Sequence, residues 1–216
     1  RSDYLDSEIT INWNVVGNGI NQANANDFGG TFPSGNITFL ANETTKTIIL
    51  NPTADTDYES HEGYNIVLST SATGVVLLDN SASGMILNDE DALTLVATNL
   101  DEVEGDPSGL QSQLSFTVQR SGDVKGTSTV EWELIPNSEN GTKLSDFTNT
   151  AILSGELEFT LGVSSQLITI PLSSDNNLEE DAGFTIKLKN ASEGTALLVD
   201  EVNGFIRNDD AVFNIS

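Results

Sequence analysis

The stretch Asp55-Thr-Asp-Tyr-Glu59-Ser-His-Glu62-Gly-Tyr64-Asn-Ile-Val-Leu68 joins an acidic loop to an alternating strand. Tyr64, Ile66 and Leu68 share one face of that strand, because successive side chains of a strand point to opposite faces. The same design returns as Asp175-Asn-Asn-Leu-Glu179-Glu180-Asp181-Ala-Gly-Phe184-Thr-Ile186-Lys-Leu188. In both copies a Glu follows the first Asp by four residues, and an aromatic residue follows it by nine. The pattern predicts a metal-holding loop on a β-sandwich.

The net charge of the chain limits the kinds of molecule that it is expected to bind. Among 216 residues, 33 are acidic and 8 are basic, which gives a formal net charge of −25. Nucleic acids and anionic membrane surfaces both require a basic surface, so neither is expected to bind. Divalent cations relieve repulsion between clustered carboxylates and suit this composition, although a surface kept soluble by its charge explains it equally well. The chain has no Cys, which excludes disulfides and thiolate metal sites, and no apolar run is long enough for a transmembrane helix.

An internal repeat spans most of the chain. The matching landmarks are Arg1 with Arg120, Trp13 with Trp132 and Asp27 with Asp146 at an offset of 119, then Asp55 with Asp175 and Asp89 with Asp209 at an offset of 120. Residues 93–120 have no counterpart before Trp13, and residues 212–216 match 93–97. We therefore divide the chain into a first unit at 1–91 that lacks its first strand, a complete second unit at 92–211, and residues 212–216 as the first strand of a following unit or a donor strand.

Seven strand-like runs fill the complete unit, at residues 93–97, 113–120, 128–135, 156–161, 166–172, 183–189 and 204–208. Leu114, Phe116 and Val118 alternate with polar residues, which is the period of a half-buried strand. About seven short strands in a unit of this length are typical of an immunoglobulin-like sandwich. The predicted fold class is therefore all-β, with tandem immunoglobulin-like β-sandwiches and a core tryptophan in each.

Acidic residues of the second unit are expected to meet at one end of the sandwich. If its seven strands alternate in direction, the loops after the first, third and fifth strands and the end of the seventh share one pole. Six carboxylates from these segments then converge: Glu104, Asp146, Asp175, Glu179, Asp209 and Asp210. Such carboxylates repel one another unless a cation or proton intervenes. Oxygen ligands without His or Cys favour Ca²⁺ over Zn²⁺ or Cu²⁺. Acids that merely decorate solvent-exposed loops are the alternative, and their recurrence in both copies argues against it.

Several of these motifs together resemble Calx-beta repeats, which are Ca²⁺-binding sandwiches of the immunoglobulin-like class. They are Glu104-Gly105, Asp146-Phe147, the Asp-x3-Glu-x4-aromatic loop and the terminal Ile-x-Asn-Asp-Asp. The resemblance covers nearly the whole chain. It implies Ca²⁺ ligands at the same six carboxylates of the second unit. In the first unit it implies ligands at Asp27, Asp55, Glu59, Glu62, Asp89 and Glu90.

The two units depart from the family pattern in different ways. Glu62 fills a position that is often Glu in the family, whereas the second unit has Ala182 there. The residue before the loop Asp, often acidic in the family, is Ala54 in one unit and Ser174 in the other. The first unit also lacks the counterpart of Glu104. Each unit is therefore expected to hold fewer ions than a full family site, and the loop chemistry favours tighter binding by the first.

The leading functional interpretation is a non-enzymatic Ca²⁺-binding module of a long extracellular surface, adhesion or matrix protein. Ca²⁺ at the poles would rigidify the array, with Asp89-Glu90-Asp91 as the hinge between units. Expected partners are neighbouring repeats or identical subunits, with glycans or other surface proteins as further candidates. Catalysis is disfavoured, because the sole histidine, His61, lies in the acidic loop and no serine is marked as its partner.

Two alternatives remain open from the sequence. The first is a subunit of an extracellular filament, in which residues 212–216 of one chain complete the first unit of the next by strand addition. The second is a Ca²⁺-sensing regulatory domain pair, like the regulatory portion of sodium–calcium exchangers.

Overall fold

The computed structural model describes residues 1–2 and 6–211, and strands make up most of its regular structure. The all-β prediction is therefore confirmed. The chain forms two compact units, Arg1–Asp55 with Glu59–Asn88, and Thr56–Tyr58 with Asp89–Ser216. Over the described residues, no helix is long and apolar enough to cross a membrane.

The first unit contains one antiparallel sheet in its described residues. Its strands are β1 (Ile9–Asn18), β2 (Ser34–Phe39), β3 (Glu62–Ser69) and β4 (Ser81–Ile86). They lie in the order β2-β1-β3-β4. A 3-10 helix at Asn26–Phe28 connects β1 to β2.

The second unit contains two sheets. Its strands are β5 (Asp91–Asn99), β6 (Asp101–Val103), β7 (Gln113–Gly122), β8 (Ser128–Pro136), β9 (Ser154–Phe159), β10 (Ser165–Pro171), β11 (Ala182–Lys189), β12 (Thr195–Val199) and β13 (Glu201–Arg207). One sheet has the order β10-β7-β5-β12 and the other has the order β6-β13-β11-β8-β9. A 3-10 helix at Leu144–Asp146 follows β8. This is the two-sheet architecture of the predicted sandwich.

Two strands of the second unit are not among the seven predicted runs. β6 has only three residues, two of them acidic, and it continues the path of β5 into the opposite sheet, where it runs parallel to β13. β12 carries consecutive apolar residues without alternation and pairs in parallel with β5. Both are edge strands, whose side chains follow period two less strictly because only one neighbour constrains them.

The core of the second unit lies between its two sheets. Trp132 of β8 is 4% exposed and its ring meets Phe116 of β7 edge-on, with the ring centroids 5.2 Å apart. Gly155 pairs with Trp132 across β9, and a Cβ there would come within 3.1 Å of the indole nitrogen. In the first unit Gly35 pairs with Trp13 in the same way. The matched glycines leave room for an indole ring to lie flat across the neighbouring strand.

A buried ion pair joins β5 to β7 at the edge of this core. The Arg120 guanidinium donates to Asp91 Oδ2 at 2.9 Å from Nε and 2.6 Å from Nη2. The Ser128 hydroxyl also donates to Asp91 Oδ2. Arg120 Nη1 donates to the carbonyls of Phe159 and Thr160, whereas Asp91 Oδ1 has no hydrogen-bond partner among the described residues. Asp91, which the sequence placed in a hinge, is therefore a buried structural residue.

The sheet of the first unit corresponds to half of the second unit. β1, β2, β3 and β4 match β8, β9, β11 and β13 in the repeat, and their register agrees: Trp13 faces Leu68 as Trp132 faces Leu188. Within the described part of the first unit, no strand corresponds to β5 or β7. The segments that match β10 and β12, at residues 45–51 and 75–79, are not strands either. Their hydrogen-bonding partners in the second unit are β7 and β5, which explains why they remain irregular.

Candidate metal centres

Three carboxylates of the second unit meet at one pole of the sandwich. Oxygen atoms of Glu104, Asp209 and Asp210 all lie within 4.8 Å of one another. Glu104 follows β6, and its backbone N–H donates to the carbonyl of Arg207 at 3.0 Å, which fixes it beside the end of β13. The Ser174 hydroxyl, from the loop after β10, donates to the Glu104 carbonyl at 2.9 Å.

Glu104 is the least solvent-exposed carboxylate of this pole. It is 5% exposed, and its Oε1 has no hydrogen-bond partner among the described residues. Burial, followed by the charges of Asp175, Glu179 and the two terminal aspartates, raises the pKa of Glu104 to about 7. A buried carboxylate without a donor, surrounded by like charges, is a costly arrangement in the absence of a cation or proton.

The end of β13 carries a second unsatisfied carboxylate. Asp210 Oδ2 is buried without a hydrogen-bond partner in the described part of the chain. Burial, then the charges of Asp209, Asp106 and Asp175, raise the pKa of Asp210 above its ordinary value. Two neighbouring carboxylates therefore present bare oxygens to the same region of the pole.

Three carboxylates of the first unit form a comparable group. Oxygen atoms of Asp27, Glu59 and Glu62 lie within 4.8 Å of one another. Asp27 is 7% exposed, in the 3-10 helix after β1, and its Oδ2 accepts the N–H of Asn24 at 2.6 Å. Glu62 begins β3. Burial, then a side-chain hydrogen bond and the charge of Asp27, with smaller effects of Glu59 and Asp55, raise the pKa of Glu62 to about 7.

The structure therefore groups only part of the predicted ligand set in each unit. In the first unit Asp27, Glu59 and Glu62 come together, Asp55 lies near enough to affect Glu62, and Asp89 and Glu90 lie outside the group. In the second unit Glu104, Asp209 and Asp210 come together, and Asp175 and Glu179 lie near enough to affect Glu104. The full ligand set of each unit therefore stays a prediction.

Asp146 has a structural role within its own segment. Its Oδ2 accepts the backbone N–H of Lys143 at 2.8 Å, and its Oδ1 accepts the Ser145 hydroxyl at 3.1 Å. These contacts cap the 3-10 helix at Leu144–Asp146. Asp27 accepts the matching N–H in the first unit, but it also lies in the carboxylate group there. The matched Asp thus accepts the N–H three residues before it in both units, and it joins a carboxylate trio only in the first.

Asn88 and Asn208 position the acidic loops and were not singled out from the sequence. Asn88 Oδ1 accepts the N–H of Glu59 at 2.7 Å, and Asn208 Oδ1 accepts the N–H of Glu179 at 2.9 Å. Both belong to the Gly-x-Ile-x-Asn-Asp motif that occurs at residues 84–89 and 204–209. The recurrence of this Asn in both copies could have marked it as a functional residue from the sequence. Each Asn fastens the middle of the acidic loop to the end of the last strand.

The backbone N–H of each Asn has a different acceptor in the two units. Asn88 N–H donates to His61 Nδ1 at 3.0 Å, whereas Asn208 N–H donates to Asp181 Oδ1 at 3.2 Å. Arg207 then bridges Asp181 and Asp101, with N–O distances of 2.6–2.9 Å. The guanidinium lowers the pKa of both carboxyls. In the second unit an internal cation thus satisfies two acids beside the pole.

Comparison with known proteins supports a single family. The Calx-beta domain model matches residues 5–91 and 110–211. A search of curated proteins found no match.

Solved structures of the same kind also match. A crystal structure of the apo-form Calx CBD1 domain is 27% identical, with 55% of this chain and 98% of that chain covered and a TM-score of 0.45. A crystal structure of CBD12 from CALX1.2 is 17% identical, with 89% and 72% covered and a TM-score of 0.42. One of calcium binding domain CBD12 of CALX1.1 is 16% identical, with 96% and 90% covered and a TM-score of 0.41. The assignment rests on the family model rather than on these superpositions.

Proposed function

Because the chain belongs to the Calx-beta family, we propose that it is a pair of Ca²⁺-binding domains that acts as a non-enzymatic structural module of an extracellular surface, adhesion or matrix protein. One similar structure is described as a calcium binding domain, and the oxygen-only ligands of the carboxylate trios suit Ca²⁺. The carboxylate trios of the two units are the proposed sites.

The observation that carries this proposal is the environment of Glu104. Its carboxylate is buried and its Oε1 lacks a donor among the described residues. Burial, followed by the charges of four further acids, raises the pKa of Glu104. A structural carboxylate normally accepts hydrogen bonds when it is buried. A hard cation with oxygen ligands is the species that satisfies such a group, so these residues fit Ca²⁺.

At each pole, some residues would bind the ion and others position the acidic loop. Glu104, Asp209 and Asp210 would hold the ion in the second unit, and Asp27, Glu59 and Glu62 would hold it in the first. Asn88 and Asn208 keep each acidic loop against the end of the last strand. Bound Ca²⁺ supplies positive charge that offsets carboxylate repulsion, which would hold the loops of a pole together and stiffen the unit.

Calorimetric Ca²⁺ titration, combined with melting curves in Ca²⁺ and in chelator, tests the proposal. The wild-type protein should bind Ca²⁺ and melt at a higher temperature when it is present, because a ligand that binds only the folded state stabilises it. Glu104→Gln and Glu62→Gln should each weaken binding in one unit. Glu139→Gln, at an exposed position outside both trios, is the matched control. Absence of any Ca²⁺-linked rise in melting temperature would remove the proposal.

The mechanical role requires its own measurement. If Ca²⁺ stiffens the pair, small-angle scattering should give a narrower distribution of dimensions in Ca²⁺ than in chelator. An unchanged distribution with Ca²⁺ bound would favour the alternative of a Ca²⁺-sensing regulatory domain pair. In that case a partner outside this chain would bind the Ca²⁺-loaded form in preference to the Ca²⁺-free form.

A filament built by strand addition is the second candidate, because the described residues of the first unit form one sheet whereas those of the second form two. The donor strand at residues 212–216 lies outside the described residues. It would take the place of β5, but the place of β7 would remain empty. A monomer by light scattering at high protein concentration, with or without Ca²⁺, would contradict the filament.

A further inference from the structure

The acidic loop of the second unit, at residues 176–181, is joined to the rest of its unit at few points. All six residues are exposed, and the last three are acids. Apart from a local bond to Asp175, the hydrogen bonds between this loop and other described residues all go to Arg207 and Asn208. The position of the loop therefore depends on two consecutive residues at the end of β13.

The Arg207 side chain binds this loop and β6 at the same time. Its Nη1 donates to Asp181 Oδ2 at 2.7 Å, and its Nε and Nη2 donate to the two carboxylate oxygens of Asp101 at 2.6 and 2.9 Å. The Arg207 carbonyl also accepts the N–H of Glu104, just after β6, at 3.0 Å. We call these side-chain contacts the Arg207 bridge. They join three segments that are distant in the chain and that carry or adjoin the carboxylates of the pole.

The guanidinium of the bridge is held in place by a further contact. Its Cζ lies 4.6 Å from the centroid of the Phe205 ring, which is a cation–π distance. A single exposed ion pair contributes little to stability, because solvent screens it and two long side chains lose freedom. A bidentate guanidinium that binds two carboxylates and an aromatic ring loses its freedom once for several contacts. This geometry favours a persistent bridge over a transient surface pair.

The first unit has a different set of residues at the matched positions. Leu87 stands where Arg207 lies, and His61 stands where Asp181 lies. Leu87 is 63% exposed, and an aliphatic side chain forms no ion pair. The hydrogen bond from the acidic loop to the Asn at the end of the last strand, by contrast, is present in both units. Arg207 therefore adds to the second unit a connection that its repeat does not use.

We propose that Arg207 is a positioning residue that holds the acidic loop and β6 against the end of β13, so that the pole of the second unit is assembled before Ca²⁺ binds. The inference rests on the proposed function for the identity of the ion, but the bridge itself acts in the metal-free protein. Without a cation, the acids of the loop and those after β13 repel one another, and the guanidinium offsets part of that repulsion. Bound Ca²⁺ would supply positive charge within the pole, so the bridge matters most when the ion is absent.

Amide hydrogen exchange in chelator, resolved by NMR, tests the bridge. Arg207→Leu gives the second unit the residue that the first unit has. Exchange at Glu179, whose N–H donates to Asn208, should accelerate about tenfold or more, because exchange follows the free energy of local opening. Lys187→Leu is the matched control, since it removes a cation of the same unit whose partner, Glu201, lies at the opposite end of β13. Equal exchange at Glu179 in the two variants would overturn the proposal.

The same measurement in saturating Ca²⁺ tests whether the bridge serves the ion site. Exchange at Glu179 in the Arg207→Leu protein should return to within about twofold of the wild-type rate, because the ion then holds the loop. Accelerated exchange that persists while calorimetry shows bound Ca²⁺ would overturn the preassembly of the site. If calorimetry shows that the wild-type protein binds no Ca²⁺, the proposed function fails, and the comparison in chelator still decides whether Arg207 holds the loop.

A second variant distinguishes the bridge from a loosening of the whole unit by Arg207→Leu, which faster exchange in β7 and β8 would reveal. Asp101→Ala removes only the contact to β6 and leaves Asp181 bound. Exchange at Glu104, whose N–H donates to the Arg207 carbonyl, should then accelerate, whereas exchange at Glu179 should not. Unchanged exchange at Glu104 would overturn the role of the bridge in holding β6.

Discussion

Replacing Glu104 by Gln tests the metal centre, because the change should affect stability in opposite directions with and without Ca²⁺. The substitution keeps the shape of the side chain and removes its charge. In the metal-free protein, burial and neighbouring carboxylates raise the pKa of Glu104 from 4.5 to about 7. A shift of this size corresponds to about 3 kcal/mol lost when the side chain ionises in the folded state. At pH 8, Glu104→Gln should therefore stabilise the metal-free second unit by about 1–3 kcal/mol.

The expected sign reverses when Ca²⁺ is present. A protein that has lost one charged ligand should bind Ca²⁺ about tenfold more weakly or worse, because affinity follows the number of charged ligands. The Ca²⁺-induced rise in the free energy of unfolding should shrink accordingly, since it depends on the ratio of free ion to dissociation constant.

Urea unfolding at pH 8, in chelator and in Ca²⁺, measures both effects. A Trp13→Phe background lets the fluorescence of Trp132 report on the second unit alone. Glu139→Gln is exposed and should change neither value appreciably. If Glu104→Gln destabilised the metal-free unit, or left the Ca²⁺ effect intact, Glu104 would be an ordinary buried side chain and not a ligand.

Three further changes test the folding argument. Burial and the nearby Asp27 raise the pKa of Glu62 to about 7, so its folded-state pKa exceeds its unfolded value. The free energy of unfolding of the metal-free protein should therefore decrease as the pH rises from about 5 to about 7. A Glu62→Gln protein should lose part of that pH dependence, as measured by urea titration. Asp91→Ala should cost about 3–5 kcal/mol in urea unfolding, because it leaves the buried Arg120 guanidinium unpaired, and a loss below about 1 kcal/mol would contradict a structural ion pair. Phe159→Ala should cost about 3–5 kcal/mol, and Phe39→Ala, at the half-buried matching position, should cost clearly less by differential calorimetry; equal losses would contradict an incomplete first unit.

Local patterns were enough to predict the class of fold and its repetition. Alternation such as Leu114-Ser-Phe116-Thr-Val118 predicts a strand with one buried face, because the side-chain period of a strand is two wherever the sheet lies. The repeat transfers each motif from one unit to the other, and acids in loops are visible without coordinates. These features depend on residues close together in the chain, so the sequence alone predicted tandem β-sandwiches and acidic poles.

The tertiary structure decided which carboxylates lie close enough together to share an ion, and which segments have a neighbouring strand to pair with. Asp146 and Asp27 occupy matched positions, but only Asp27 lies in a carboxylate trio, because Glu62 reaches it at the start of β3 where the second unit has Ala182. β12 is a strand because β5 lies beside it, and its matching segment in the first unit is irregular without that neighbour. Hydrogen-bond ladders and clustered charges depend on groups distant in the chain, so one motif forms different structures in the two units.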